Sequence, residues 1–228
     1  MKRLVLLGEG QGDEAALPVL VRKLLLERNR DRDFFADKDV IRGASYMKWD
    51  KEAGRPDYTK WISRVTLASR RGNLGGVLAV YDGDAPVFPA GSKTPFCAAD
   101  AAKVLAQVAA EAGAGKTFSL AVVFACKEYE SWIIAGIESL TGKRYSDGRA
   151  ALPPGLTFPP GNCEAHGKKW LEQHCPGYRP ALDQGALTEI LDLGVVRAKG
   201  LRSFRRFEHA LVQLMEAANK GTYILCPT

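Results

Sequence analysis

Apolar runs punctuate the chain, and most are followed by a segment with helical spacing. Leu4 to Leu7 is continuously apolar, so Arg3 to Leu7 predicts a short strand covered on both faces. Beyond Gly8 and Gly10, Leu17, Leu20, Val21, Leu24 and Leu25 recur at spacings of three and four, predicting a helix from about Asp13 to Arg28. Lys38 to Ile41 predicts a second strand, and Gly43 to Pro56 a loop. Tyr58 to Ser69 reads as a helix with Trp61, Val65 and Ala68 on one face, stopped by Gly75 and Gly76. Gly76 to Tyr81 is the next central strand, ending in Asp82-Gly83-Asp84. Pro86 to Gly91 reads as a loop, and Thr94 can cap a helix with Pro95 in its first position. The Ala-rich stretch from Ala98 to Glu111 is helical, and Phe118 to Ala125 is another apolar strand. Lys127-Glu128-Tyr129-Glu130 then leads into a helix carrying Trp132, Ile133, Ile137 and Leu140.

Strand and helix thus alternate four times, which predicts an α/β fold with a mostly parallel, Rossmann-like sheet and helices on both faces. The last third differs. Arg149 to Cys163 is proline-rich and loop-like; Gly167 to His174, Pro180 to Leu191 and Ser203 to Ala218 read as helices; Thr222 to Cys226 suits a short edge strand. Residues 1–148 therefore read as the core, and 149–228 as a mostly helical elaboration packed on it.

Composition adds limits. With 228 residues, 46% apolar and 25% charged, the chain has the make-up of a globular protein. No apolar stretch approaches the ~20 residues of a membrane span, and Glu9 interrupts the short apolar start, so a cytoplasmic protein is expected. Five cysteines, an odd number, do not suggest a disulfide framework. A net charge of +6 permits a polyanionic partner without demanding one.

The candidate chemistry is acidic. Gly83 allows a sharp turn, so Asp82 and Asp84 can face one space, where they repel unless a cation shares it. In a parallel sheet Glu9, and Glu128 or Glu130, emerge on the same edge, where ligands of open α/β sheets bind. A Mg²⁺ or Mn²⁺ site follows, with Asp82 and Asp84 as ligands and Glu9 as ligand or base. Glu128 or Glu130 can hold a second ion, and Lys127 can balance charge on a scissile phosphate. The bland alternatives are an ordinary Asp-Gly-Asp turn and carboxylates that favour a helix start.

These residues carry a resemblance. Glu9-Gly10 after the first strand, with Asp82-Gly83-Asp84 after a later one, resembles the Toprim domain of topoisomerases, primases and the overcoming-lysogenization-defect nucleases. More of the chain resembles a standalone Toprim-like family of uncharacterised bacterial proteins, some linked to phage defence. The matching stretches are Glu9 to Glu14, Tyr81 to Asp84, Glu128 to Ile134, Tyr178 to Asp183 and Ser203 to Leu211. The resemblance implies that Glu9 is a metal ligand or general acid/base, that Asp82 and Asp84 bind Mg²⁺, and that the substrate is a phosphodiester in DNA or RNA. No topoisomerase-type tyrosine domain or attached ATPase is recognisable in the sequence, so a nuclease is expected, with a separate ATPase or defence-system protein as possible partner. The rivals are a non-catalytic nucleic-acid-binding module and a small-molecule phosphoesterase.

Other signals change the picture less. Gly113-Ala-Gly-Lys-Thr117 lacks the leading glycine of a phosphate loop and lies between a helix and a strand in the wrong order. Cys163, His166, His174 and Cys175 are possible zinc ligands, but their spacing matches no familiar site. Arg202, Arg205 and Arg206 open the final helix, after Arg197 and Lys199, and can contact a nucleic-acid backbone or simply form a solvated basic surface. Tyr46 and Trp49 can stack on bases, whereas core packing better explains Trp61.

Overall fold

Strand β1 (Lys2–Gly8) is paired on both sides, which explains its unbroken apolar run. The computed structural model describes residues 1–43, 45–143, 152–159, 167–175 and 177–227. β2 (Phe34–Ala36) and β3 (Ile41–Arg42) pair with one side of β1, and β6 (Leu74–Asp82) with the other. β7 (Leu120–Ala125) follows β6, and β8 (Leu225–Pro227) closes that edge. All pairings in this six-stranded sheet are parallel. The α/β, Rossmann-like reading thus holds.

Period-two alternation decides what each face covers. Leu4, Leu6, Leu78, Val80, Ala121 and Val123 face α1 (Gln11–Glu27), α4 (Glu130–Ala135), α6 (Pro180–Ile190), α7 (Leu193–Ala198) and α8 (Arg202–Lys220). Val5, Leu7, Val77, Ala79, Val122 and Phe124 face α2 (Thr59–Ser69) and α3 (Ala98–Ala109). The C-terminal elements are therefore structural cover: α8 packs on β6 and β7, and α6 on α1. A further helix, α5 (Gly167–His174), packs against α4. Among the described residues no helix is long and apolar enough to cross a membrane.

Three local expectations are corrected. Of the strand expected at Lys38 to Ile41 only Ile41 is extended, as the first residue of β3; the residues before it form a bend that follows β2. Within the expected loop of Gly43 to Pro56, β4 (Lys48–Asp50) and β5 (Arg55–Asp57) form an antiparallel pair. Thr94 and Pro95 do not start α3: Phe88 N donates to Thr94 O at 3.0 Å, and Pro95 bridges Val87. That pairing holds the segment extended until Cys97, the residue preceding α3.

The α1–α6 contact is close because Gly185 has no side chain. A Cβ there would lie 2.9 Å from Ala15 O and 3.0 Å from Ala15 Cβ. Gly185→Ala is expected to force α6 off α1 and cost about 1–3 kcal/mol, measured by chemical denaturation; unchanged stability would refute the close packing.

Candidate active site at the carboxyl ends of the strands

The turn from β1 into α1 is held by Asp13, the third residue of the helix. Its Oδ2 accepts the backbone N–H of Glu9 at 2.7 Å and of Gly10 at 3.0 Å. A carboxylate in the first helical turn satisfies otherwise unpaired amides and meets the positive end of the helix. With its backbone fixed, Glu9 extends across to β6, where Oε1 accepts Asp82 N–H at 2.9 Å. Asp82 in turn reaches beyond β7, and its Oδ1 accepts Tyr129 N–H at 2.9 Å. The ends of three neighbouring strands are thus joined by carboxylate-to-amide bonds running in one direction across the sheet.

Burial makes these groups electrostatically tense. Glu9 is half-buried, and desolvation pushes its pKa up to about 7; the Asp82 amide opposes this, Asp13 and Asp84 add to it, and Arg64 draws it back. Asp13 is raised by burial against the amides of Gly10 and Glu9. Asp82 lies well above the usual carboxylate range, first through burial, then through Glu9, Asp13 and Glu130. Glu130, only 4% exposed, is pushed up to about 7 mainly by burial, and its Oε1 accepts the Tyr178 O–H at 3.1 Å.

The predicted residues divide accordingly. Glu9, Asp82 and the more exposed Asp84 lie along one edge at the strand ends, near enough for Asp82 and Asp84 to act on Glu9. Glu128 points elsewhere, its Oε2 accepting Lys168 N–H at the start of α5, 2.8 Å away. Lys127 is exposed, with a left-handed φ of 61°. Arg202 and Arg205 are exposed at the start of α8 and Arg206 is half-buried. Trp61 is a core residue whose Nε1 donates to Leu105 O at 2.8 Å. Tyr46 packs edge-on against Tyr81 and Phe124. Of the possible zinc ligands, Cys163 and His166 lie outside the described residues; His174 stacks on Trp170, with Nδ1 2.8 Å from its carbonyl oxygen, and Cys175 is buried.

The site roles of three residues are not predicted from sequence. Asp13 had a signal, an acid three residues after a glycine at a helix start. Arg64 had none: its Nη1 donates to Gly43 O and Ser45 O, and its charge acts on Glu9. Tyr178 is brought to Glu130 by tertiary folding alone.

Whether this edge suits a metal rests on its donors. Glu9 Oε2, Asp82 Oδ2 and both Asp84 oxygens make no hydrogen bond among the described residues, and no described Lys or Arg nitrogen lies within 4.0 Å of these carboxylates. Crowded carboxylate oxygens without a cation are the chemistry a hard divalent ion relieves. Among the described residues, no three His, Cys, Asp or Glu side chains gather closely enough to hold one. The donor type fits, therefore, while the ligand set is not drawn together.

A family model described as "Domain of unknown function (DUF4276)" matches residues 8–212. No curated protein and no solved structure gave a match.

Proposed function

The chain belongs to that family, and we propose that it is a divalent-metal-dependent nuclease, hydrolysing phosphodiester bonds in DNA or RNA. The observation that carries the reading is the placement of Glu9, Asp82 and Asp84, raised in pKa or lacking a partner, along one carboxyl edge of a parallel sheet. The resemblance of Glu9-Gly10 and Asp82-Gly83-Asp84 to the Toprim pattern supports it. Asp82 and Asp84 would hold Mg²⁺ or Mn²⁺, with Glu9 joining them or exchanging the proton. When bound, such an ion neutralises charge on phosphate oxygens. Glu9, with a pKa of about 7, holds a proton it can give or take near neutral pH. Asp13 fixes where that proton sits by fixing the Glu9 backbone. The reading places the protein in the cytoplasm, with a separate ATPase or defence-system protein as partner.

The test is cleavage of labelled single- and double-stranded DNA and RNA, with Mg²⁺ or Mn²⁺ and with EDTA. Asp82→Asn and Glu9→Gln, each matched to the parent in thermal unfolding, are expected to lose at least about 10²-fold in rate. Equal cutting by all three proteins would remove the acidic edge from the chemistry. A second reading, a nucleic-acid-binding module without catalysis, is favoured by the ungathered ligand set. It predicts metal-independent binding and no product.

A further inference from the structure

Gly83, which sits between Asp82 and Asp84 of the acidic edge, also lines a cavity of about 580 Å³ formed with the end of β7 and the starts of α3 and α8. Its charge is opposite. Lys127, Arg202 and Arg206 line it, and none of its lining residues is acidic. Among the described residues none of the three cations forms an ion pair within 4.0 Å. Phe96, half-buried, forms one wall; its ring meets that of Phe124 edge-on, with centroids 5.3 Å apart.

Two backbone features fix this arrangement. Gly83 packs against the end of β7 so closely that a Cβ would lie 2.6 Å from Ala125 O. Past β7 the chain turns within three residues, Glu128 N donating to Cys126 O at 2.9 Å around the left-handed Lys127. Lys127 therefore lines the cavity while Glu130, three residues on, is buried beneath the acidic edge. The starts of α3 and α8, both without a side-chain cap, add backbone N–H groups to the same rim.

We propose that this cavity is a nucleotide subsite: Phe96 stacks on a base, and Lys127, Arg202 and Arg206 grip the phosphate attached to it. Arginine pairs suit phosphate oxygens, and an aromatic face takes any base. The volume is within the range of small-ligand sites. Because Gly83, the residue between Asp82 and Asp84, lines the cavity, the nucleotide it holds is the neighbour of the phosphodiester being cut. That placement rests on the nuclease reading; the binding itself does not. Arg205, absent from the lining, is left out of the subsite.

The experiment is calorimetric titration with AMP, adenosine, inorganic phosphate and a short single-stranded oligodeoxynucleotide, all in EDTA. AMP is expected to bind at least about tenfold more tightly than adenosine or phosphate, since it engages both wall and cations. Arg202→Ala/Arg206→Ala is expected to lose at least about tenfold in AMP affinity. Lys127→Gly should lose affinity without lowering the melting temperature, because glycine adopts the left-handed conformation freely. Phe96→Leu should weaken AMP and leave phosphate unchanged. The oligonucleotide should displace AMP. AMP binding no tighter than phosphate, or unaltered in the double variant, would overturn the subsite, and failure of the oligonucleotide to compete would overturn its assignment to a strand. AMP binding without any metal-dependent cleavage would sink the nuclease reading and leave the subsite standing. Cleavage without AMP binding would do the reverse.

Discussion

Asp13→Ala is expected to destabilise the protein by about 2 kcal/mol and to reduce cleavage by about 10²-fold. The side chain accepts two backbone N–H groups, from Glu9 and Gly10, and hydrogen bonds to a charged acceptor contribute about 1.5–3 kcal/mol each. Part of that is returned, because removing Asp13 also removes a carboxylate held at a raised pKa by burial. The loss in rate has a separate origin. Without the clamp the Glu9 backbone is free to shift, and a displacement of about 1 Å near reacting atoms is enough for a 10²-fold loss. Asp13→Asn keeps one acceptor oxygen and should recover most of the stability. Denaturant unfolding and cleavage rates, run on the same preparations, separate the two effects. An alanine variant as stable as the parent would show that the turn does not depend on this side chain.

The second large effect is one of pH. Glu130 has a pKa of about 7 in the folded protein against 4.5 for an unperturbed glutamate, so the native state binds its proton more tightly than the unfolded chain. The resulting stability is fully present below pH 4.5 and is lost as pH rises through about 7. At about 1.36 kcal/mol per pH unit, this single buried group costs the folded state about 3 kcal/mol at pH 8 relative to pH 4. Glu9, also raised to about 7, acts in the same direction. Glu130→Gln retains an amide oxygen for the Tyr178 O–H and carries no charge. It should match the parent at pH 5, exceed it by about 2–3 kcal/mol at pH 8, and show a flatter pH profile. Adding Mg²⁺ or Mn²⁺ at pH 8 should raise the stability of the parent, as any ligand of the native state does. A parent with equal unfolding free energy at the two pH values would contradict the burial of this charge.

What the sequence disclosed follows from where apolar patterning is strong. β1, β6 and β7 are buried on both faces, so their apolar runs leave little choice, and the helices packed on them show clear periodicity. β4 and β5 are three residues each and mostly polar, so no such signal marks them. α7 has six residues and is started by Asp192, whose Oδ1 accepts Gly194 N–H at 2.8 Å, too short a segment to show a period. The Thr94-Pro95 pair has sound capping chemistry but is held in a bridge to Val87, a tertiary pairing that local preference cannot reveal. At the site, the convergence of Glu9 and Asp82 follows from two strands ending on one edge. The inward Glu130 and outward Glu128 do not, because a helix that begins between them separates their directions.

The cover that α8 gives to β6 and β7 has a consequence for how the protein is made. Leu214 packs against Gly76, 138 residues earlier in the chain. Closing so long a loop is slow, because its entropy must be lost before the contact forms. During synthesis, one apolar face of the growing sheet stays wet until the ribosome has extruded α8. The nascent chain is most exposed to aggregation in that interval. Arg202 and Arg206 arrive on the same helix, so a chain whose sheet is still uncovered also lacks its grip on phosphate.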